Sequence, residues 1–272
     1  MATAEEGAKL NQSVRKAITL LRATAEDSAA NVSSLARAAG LPRATALRMI
    51  QTLEQEGFLL RVPGDDRVLL GPGLLRLTRS TDEQSLLREV ARPVIEDLVA
   101  AVRETVTLSV VAPDGGLDLV AQVDAPHSLR PRSWLGQRFP LHTSASGKLL
   151  LASLDPERLR RFFTDPLPRM TRATITDEQA LRAELQLIGE RRWASTRDED
   201  EEGLTGISAG IFGREQELLG VVSVSGPTQR LDEQRGLDAV DHLLRAVLTI
   251  ERTLHHDVAP TGPLGVVART GS

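Results

Sequence analysis

Residues 40–58 read GLPRATALRMIQTLEQEGF: a glycine, a proline, a run with helical spacing, and a second glycine. At ~100° per residue, Ala46, Met49, Ile50 and Leu53 fall on one side of that helix. Ala44, Leu47, Arg48 and Gln51 gather on the opposite side, with Arg43 and Thr45 at the margins. The first side is suited to a core. The second is small, mixed and arginine-bearing, which suits a major groove. There Arg48 can donate to a guanine edge and Gln51 can pair with adenine, while Ala44 and Leu47 meet thymine methyls and Thr45 reaches a phosphate or a base. A solvated helix also carries a polar outer face, so the neighbouring segments decide between the two readings.

Upstream, Ser13–Ala25 places Val14, Ala17, Ile18, Leu21 and Ala25 on one helical stripe. A short helix follows over Ser33–Ala39, with Ser33 or Ser34 as its N-cap and Gly40 as its stop. Pro42 then opens the next helix, where a missing N–H costs nothing, and Gly57 ends it near Glu56. Downstream, FLLRV and RVLLG flank the turn-like PGDD, which predicts a β-hairpin. Helix, helix, tight turn, helix and hairpin together make a winged helix-turn-helix pattern. In that arrangement Ser33 and Ser34 can meet phosphate, and Arg61 and Arg67 on the hairpin can grip the adjoining backbone.

Gly71–Ser80 and Glu83–Arg103 again read as helices, the second interrupted by Pro93. From Thr105 the period changes. TVTLSVVA and LDLVAQVD flank PDGG as a second hairpin, and LTGISAGIF and ELLGVVSVSG form another strand pair. Helices are expected at SASGKLLLASL, at DPERLRRFF, from a Thr176/Gln179 capping box to Arg192, and over Asp232–His255. The fold class is therefore α+β: a winged helix-turn-helix domain at 10–80, a linker helix at 81–103 and an antiparallel-sheet domain at 104–257. A small, Gly/Pro-rich tail occupies 258–272.

Composition narrows the function. The 272 residues are 41% hydrophobic and 26% charged, an ordinary globular balance, with aromatics at only 3%. Arginine outnumbers lysine 30 to 3. Residues 1–80 hold 11 Lys/Arg against 8 Asp/Glu, while the rest of the chain holds 22 against 29. A basic head on an acidic body is compatible with one DNA-touching domain. Without cysteine there is no disulfide, thiolate nucleophile or Cys-bound metal. No apolar run reaches the ~18 residues of a membrane span, and the N-terminus lacks a secretory pattern, so a cytoplasmic protein is expected.

Enzymatic motifs fail. SASGK lacks a phosphate-loop frame, because His142 stands five residues before Gly147 and Leu149 replaces Ser/Thr. Gly203, Gly206 and Gly210 do not make a dinucleotide fingerprint. His255, His256 and Asp257 end a helix, where cations suit the dipole, and RDEDEEG (197–203) lacks EF-hand spacing. No metal site and no cofactor are expected. Ser223 and Ser225 alternate with Val222 and Val224, so both hydroxyls share one strand face, either lining a cavity or facing solvent.

Several segments resemble the IclR family of bacterial transcription regulators. SLARAAGLPRATALRMIQTLEQEGFL is similar to its helix-turn-helix and LLGPGLLRL to its wing exit. EVARPVIEDLVAAVRETVTLSVV, GQRFPLHTSASGKLLLA and GVVSVSGPTQRL are similar to its linker helix with first strand, its pre-helix segment and its last strand. The resemblance implies an N-terminal domain that binds pseudo-palindromic, double-stranded operator DNA, most simply as a repressor, and a GAF-like C-terminal domain that senses a small-molecule effector. It implies homodimers, often paired as homotetramers. Carried over by position, the effector site comprises backbone N–H groups of Ala145 and Ser146, with Thr196, Glu199, Gly206, Ser223 and Ser225, against apolar walls of Phe139 and Leu204. Many relatives carry an acid at position 196, a cysteine at 206 and a proline at 210, where this chain has Thr196, Gly206 and Gly210. The other class of reading is an enzyme or protein-binding adaptor that keeps the fold without operator binding.

Overall fold

The computed structural model describes residues 11–78, 83–125 and 140–255. The tail at 258–272 lies outside them. The chain divides into two units, Met1–Asp82 and Glu83–Ser272.

In the first unit, helices α1 (Gln12–Glu26), α2 (Val32–Ala38) and α3 (Arg43–Gln55) precede the two-stranded β1 (Leu59–Arg61) and β2 (Val68–Leu70) and helix α4 (Pro72–Thr78). Gly40 at φ +60° and Gly57 at φ +75° end α2 and α3. In both, the next amide reaches back to the last turn: Leu41 N to Ala36 O at 2.9 Å and Phe58 N to Leu53 O at 2.8 Å. This six-to-one bond needs a left-handed residue, hence the glycines. The N-cap of α2 is Asn31, not Ser33 or Ser34. Its side chain accepts from the Ser33 and Ser34 amides, and Ser34 Oγ returns the bond at the Asn31 amide. Pro42 sits one residue before α3, at the cap position. In α1 the buried residues are Leu20 and Thr24, while Val14 and Ile18 stay 54% and 43% exposed. The pattern of apolar letters misses this because Thr24 donates its hydroxyl to Leu20 O at 2.9 Å and can therefore be buried.

The second unit is built on one antiparallel sheet of order β4-β3-β7-β6-β5: β3 (Thr105–Val111), β4 (Leu117–Val123), β5 (Trp193–Arg197), β6 (Leu204–Phe212) and β7 (Leu218–Pro227). Successive side chains alternate between its faces. Val106, Leu108, Ile207, Ala209, Val222 and Val224 point to one face. There they form the main core with helix α5 (Glu83–Val102), through Leu87, Ala91, Ile95 and Leu98, and the long C-terminal helix α9 (Glu233–His255), through Leu243, Val247 and Ile250. Residues 81–103, read above as a linker, thus include a helix that is part of this core. Helices α6 (Ala145–Ser153), α7 (Pro156–Phe162) and α8 (Glu178–Arg191) complete the unit, with α6 and α8 packed near Ala194 and Val221 on the other face. The N-cap of α8 is Asp177, accepting from the Ala180 amide, rather than Thr176. Strand β5 has no counterpart in the sequence reading.

Candidate functional site

In the first unit, Ala46 and Ile50 of α3 are fully buried, and Ala44, Arg48 and Gln51 stand exposed on the opposite side. Arg48 makes no side-chain bond with a described residue. Leu47 departs from the reading: it is half-buried and packs against the core of this unit. At ~100° from Ala46 it lies on the edge of the wheel, and a leucine there gains more from burial than from water. Thr45 is also half-buried, and Arg43 is exposed with its Nε donating to Ser33 Oγ at 3.3 Å. The two hairpin arginines are engaged. Arg61 Nε donates to Glu54 Oε1 at 3.1 Å, bracing the hairpin on α3, and Arg67 donates to Asp65. That Arg67 bond holds the Asp65 carboxyl below its ordinary value.

In the second unit, the face of the sheet turned away from α5 and α9 carries hydroxyls. Cross-strand register sets Thr107 beside Ser223, and Ser223 beside Ser208. A second row joins Ser225, Gly206 and Thr196. Helix α6 covers these rows at its N-terminus and leaves a cavity of about 410 Å³. Thr107, Ser109, Thr143, Ser144, Ala145, Ser146, Thr196, Asp200, Leu204, Gly206, Ser208, Ser223 and Ser225 line it, with Leu117, Leu119 and Leu141 and the 114–116 turn. The volume falls in the range of small-molecule sites. The face bearing Ser223 and Ser225 is therefore covered rather than open to solvent.

The cavity thus gathers Ala145, Ser146, Thr196, Leu204, Gly206, Ser223 and Ser225 from the expected set. Phe139 lies outside the described residues. Glu199 is not in the lining. It turns away to the buried ammonium of Lys148, whose Nζ lies 2.8 and 2.7 Å from the Glu199 oxygens and 2.9 Å from Glu184 Oε2. Burial pushes the Glu199 carboxyl above its ordinary value, partly opposed by its bonds to Lys148. Asp200 takes the place at the wall: it accepts from Thr143 Oγ1 at 2.6 Å. The chain turns here just beyond β5, with Asp198 at φ +60°, and this turn sends Glu199 to Lys148 and Asp200 to the wall.

Sequence reasoning missed Thr107, Ser109, Thr143, Ser208 and Asp200. A period-two pattern of hydroxyls in TVTLSVV was the available signal for Thr107 and Ser109. Ser208 is wholly buried and donates to Ser223 Oγ at 2.8 Å, a pairing across strands that only register reveals. Ser144 caps α6, accepting from the Gly147 amide at 3.1 Å. The amides of Ala145 and Ser146 have no acceptor among the described residues and open toward the cavity wall they help form. No group of three or more His, Asp or Glu able to hold a metal occurs among the described residues, and none of their helices is long and apolar enough to cross a membrane.

Known proteins match both units. The pattern of the IclR helix-turn-helix domain covers residues 13–63, and that of the bacterial transcriptional regulator IclR C-terminal domain covers 80–252. An HTH-type transcriptional regulator of Mycobacterium tuberculosis is 36% identical over 80% of this chain and 83% of its own. The transcriptional repressor IclR of Escherichia coli is 28% identical over 82% and 83%. Among solved structures, an IclR transcriptional regulator from Silicibacter superposes with a TM-score of 0.66 at 26% identity, covering 88% of this chain and 94% of that one. An IclR homologue from Microbacterium hydrocarbonoxydans, complexed with 4-hydroxybenzoate, gives 0.59 at 28% identity over 90% and 99%. With both of its units matched in order, the chain belongs to the IclR family of bacterial transcriptional regulators.

Proposed function

We propose that this regulator binds pseudo-palindromic operator DNA as a homodimer or a pair of dimers, acts as a repressor, and is switched by a small molecule held in the hydroxyl-lined cavity. The exposed Ala44, Arg48 and Gln51 face, opposite buried Ala46 and Ile50, carries the DNA half of this reading. Two such faces, one per protomer, would enter successive major grooves, as helix-turn-helix dimers do. The hydroxyl-lined cavity carries the other half, and the 4-hydroxybenzoate held by a family neighbour supports it. A ligand changes operator affinity only by binding the two arrangements of the protein unequally, and the operator then alters ligand affinity by the same factor.

The test is a gel shift on DNA flanking the protein's own gene. Arg48→Ala is expected to weaken the specific complex by ~1–3 kcal/mol and to relax discrimination at one base position. If Arg48→Ala keeps full selectivity across a panel of single-base operator variants, Arg48 does not read bases. If no nearby fragment shifts in a salt-dependent way, the operator reading fails.

A further inference from the structure

We propose that the cavity is built for an uncharged, polyhydroxylated ligand of the polyol or sugar class rather than for an acid. This rests on the reading of the cavity as the effector site. The argument starts from its inventory. Thr107, Ser109 and Thr196 are more than nine-tenths buried, yet none of their hydroxyls bonds a described residue. The hydroxyls of Ser146 and Ser225, in the same walls, likewise bond no described residue. Each hydroxyl can both donate and accept. All of them open onto the cavity, where a ligand can supply the partner that each hydroxyl lacks.

The charges then select among polar ligands. Among the described residues, no Lys, Arg or His lines the cavity. The ammonium of Lys148, on the helix that covers the cavity, is fully buried and spent on Glu184 and Glu199. The ionisable lining groups among the described residues are aspartates, Asp114 at the exposed rim and Asp200 at the wall. Thr143 occupies Oδ1 of Asp200, and the second carboxylate oxygen can only accept. A ligand hydroxyl donates to it, whereas a ligand carboxylate repels it. Against that repulsion the acid would have the two amides opening α6, a weaker attraction than a cationic side chain provides.

Gly206 supplies the fitting detail. A Cβ at this position would sit 3.2 Å from Thr196 Oγ1, 3.9 Å from Ala145 Cβ and 4.0 Å from Ser225 Oγ. Its absence leaves a notch with an unengaged hydroxyl on either side, where one hydroxyl of a polyol can bond to both. The leucines at 117, 119, 141 and 204 face the carbon chain.

Isothermal titration of the full chain with glycerol, erythritol, xylitol and D-xylose, against lactate, pyruvate and glycerol 3-phosphate at matched ionic strength, tests this. Saturable heat is expected from at least one uncharged probe. The Thr196→Val/Ser225→Ala double variant, which removes both hydroxyls and adds no bulk, should weaken that probe about tenfold or more, and Ser223→Leu, which fills the cavity, should abolish it. Circular dichroism confirms that each variant folds. If only the anions saturate, and Ser223→Leu abolishes them, the ligand class is overturned and the effector site stands. If polyol binding survives Ser223→Leu and the double variant alike, the cavity is not its site and both readings fall. If neither set saturates, the proposal is overturned, while the gel shift still judges the operator reading alone.

Discussion

Replacing Lys148 with methionine is expected to lower the stability of the second unit by about 3–5 kcal/mol, read as a fall in the urea midpoint. The ammonium is wholly buried and bonds two carboxylates contributed by α8 and by the segment after β5. Methionine keeps the length and apolar stem but abandons Glu184 and Glu199 to one another. An isolated buried charge costs far more than the net worth of the pair, and that asymmetry sets the size of the effect. An unchanged midpoint would show that the carboxylates reach water when the lysine is gone. The cluster also has a pH signature. Burial raises the Glu199 pKa above its ordinary 4.5, so the folded chain holds that proton more tightly than the unfolded chain. The contribution of this group is therefore full below about pH 4.5 and is lost as pH rises through the raised value. Glu199→Gln should remove that decline from a plot of stability against pH.

The second large effect belongs to Gly147. By helix propensity alone, Gly147→Ala in α6 should stabilise by about 0.5–1 kcal/mol. The structure reverses the sign. A Cβ there would lie 2.6 Å from Leu141 Cα and 2.7 Å from its carbonyl carbon, both backbone atoms that cannot swing aside. We expect a net loss of about 2 kcal/mol or more, since forced overpacking costs ~1–3 kcal/mol even where flexible side chains can yield. Gly189, also helical but with nothing within 4 Å of its Cβ position, is the control. Gly189→Ala should raise the thermal midpoint while Gly147→Ala lowers it. Two alanines that move the midpoint the same way would refute the close approach of α6 to the 140–143 turn.

These two positions show where sequence reading ends. SASGK suggested a phosphate loop and failed as one, and nothing in its letters says that Gly147 is a packing contact. Lys148 stands before three leucines, with its partners 36 and 51 residues away, so no local pattern marks it as buried. What was legible is what the backbone enforces nearby. Gly40 and Gly57 announce the ends of α2 and α3, PGDD and PDGG announce hairpins, and the valine–serine alternation announces the two faces of β7. Asn31 was missed because serines beside it are equally able caps, and the choice depends on backbone angles. Strand β5 was missed because WASTR is short and only Ala194 and Thr196 of it are buried. The expected cavity residues came largely from family position. Register then added Thr107 and Ser208, and the turn after β5 exchanged Glu199 for Asp200.

The engaged arginines of the hairpin have a consequence for counterions. A protein that neutralises a phosphate on duplex DNA releases condensed cations, and each such phosphate adds ~0.9 to the slope of log affinity against log salt. Arg61 is paired with Glu54 and Arg67 with Asp65, so these two guanidinium groups have little left to exchange for phosphate. A salt titration of the operator complex should accordingly give a shallower slope than the arginine content of the domain suggests. Glu54→Gln, which frees Arg61, should steepen it by up to ~0.9 per protomer. The carboxylates of Glu54 and Asp65 would then act as an ionic buffer, trading raw affinity for tolerance of changes in ionic strength.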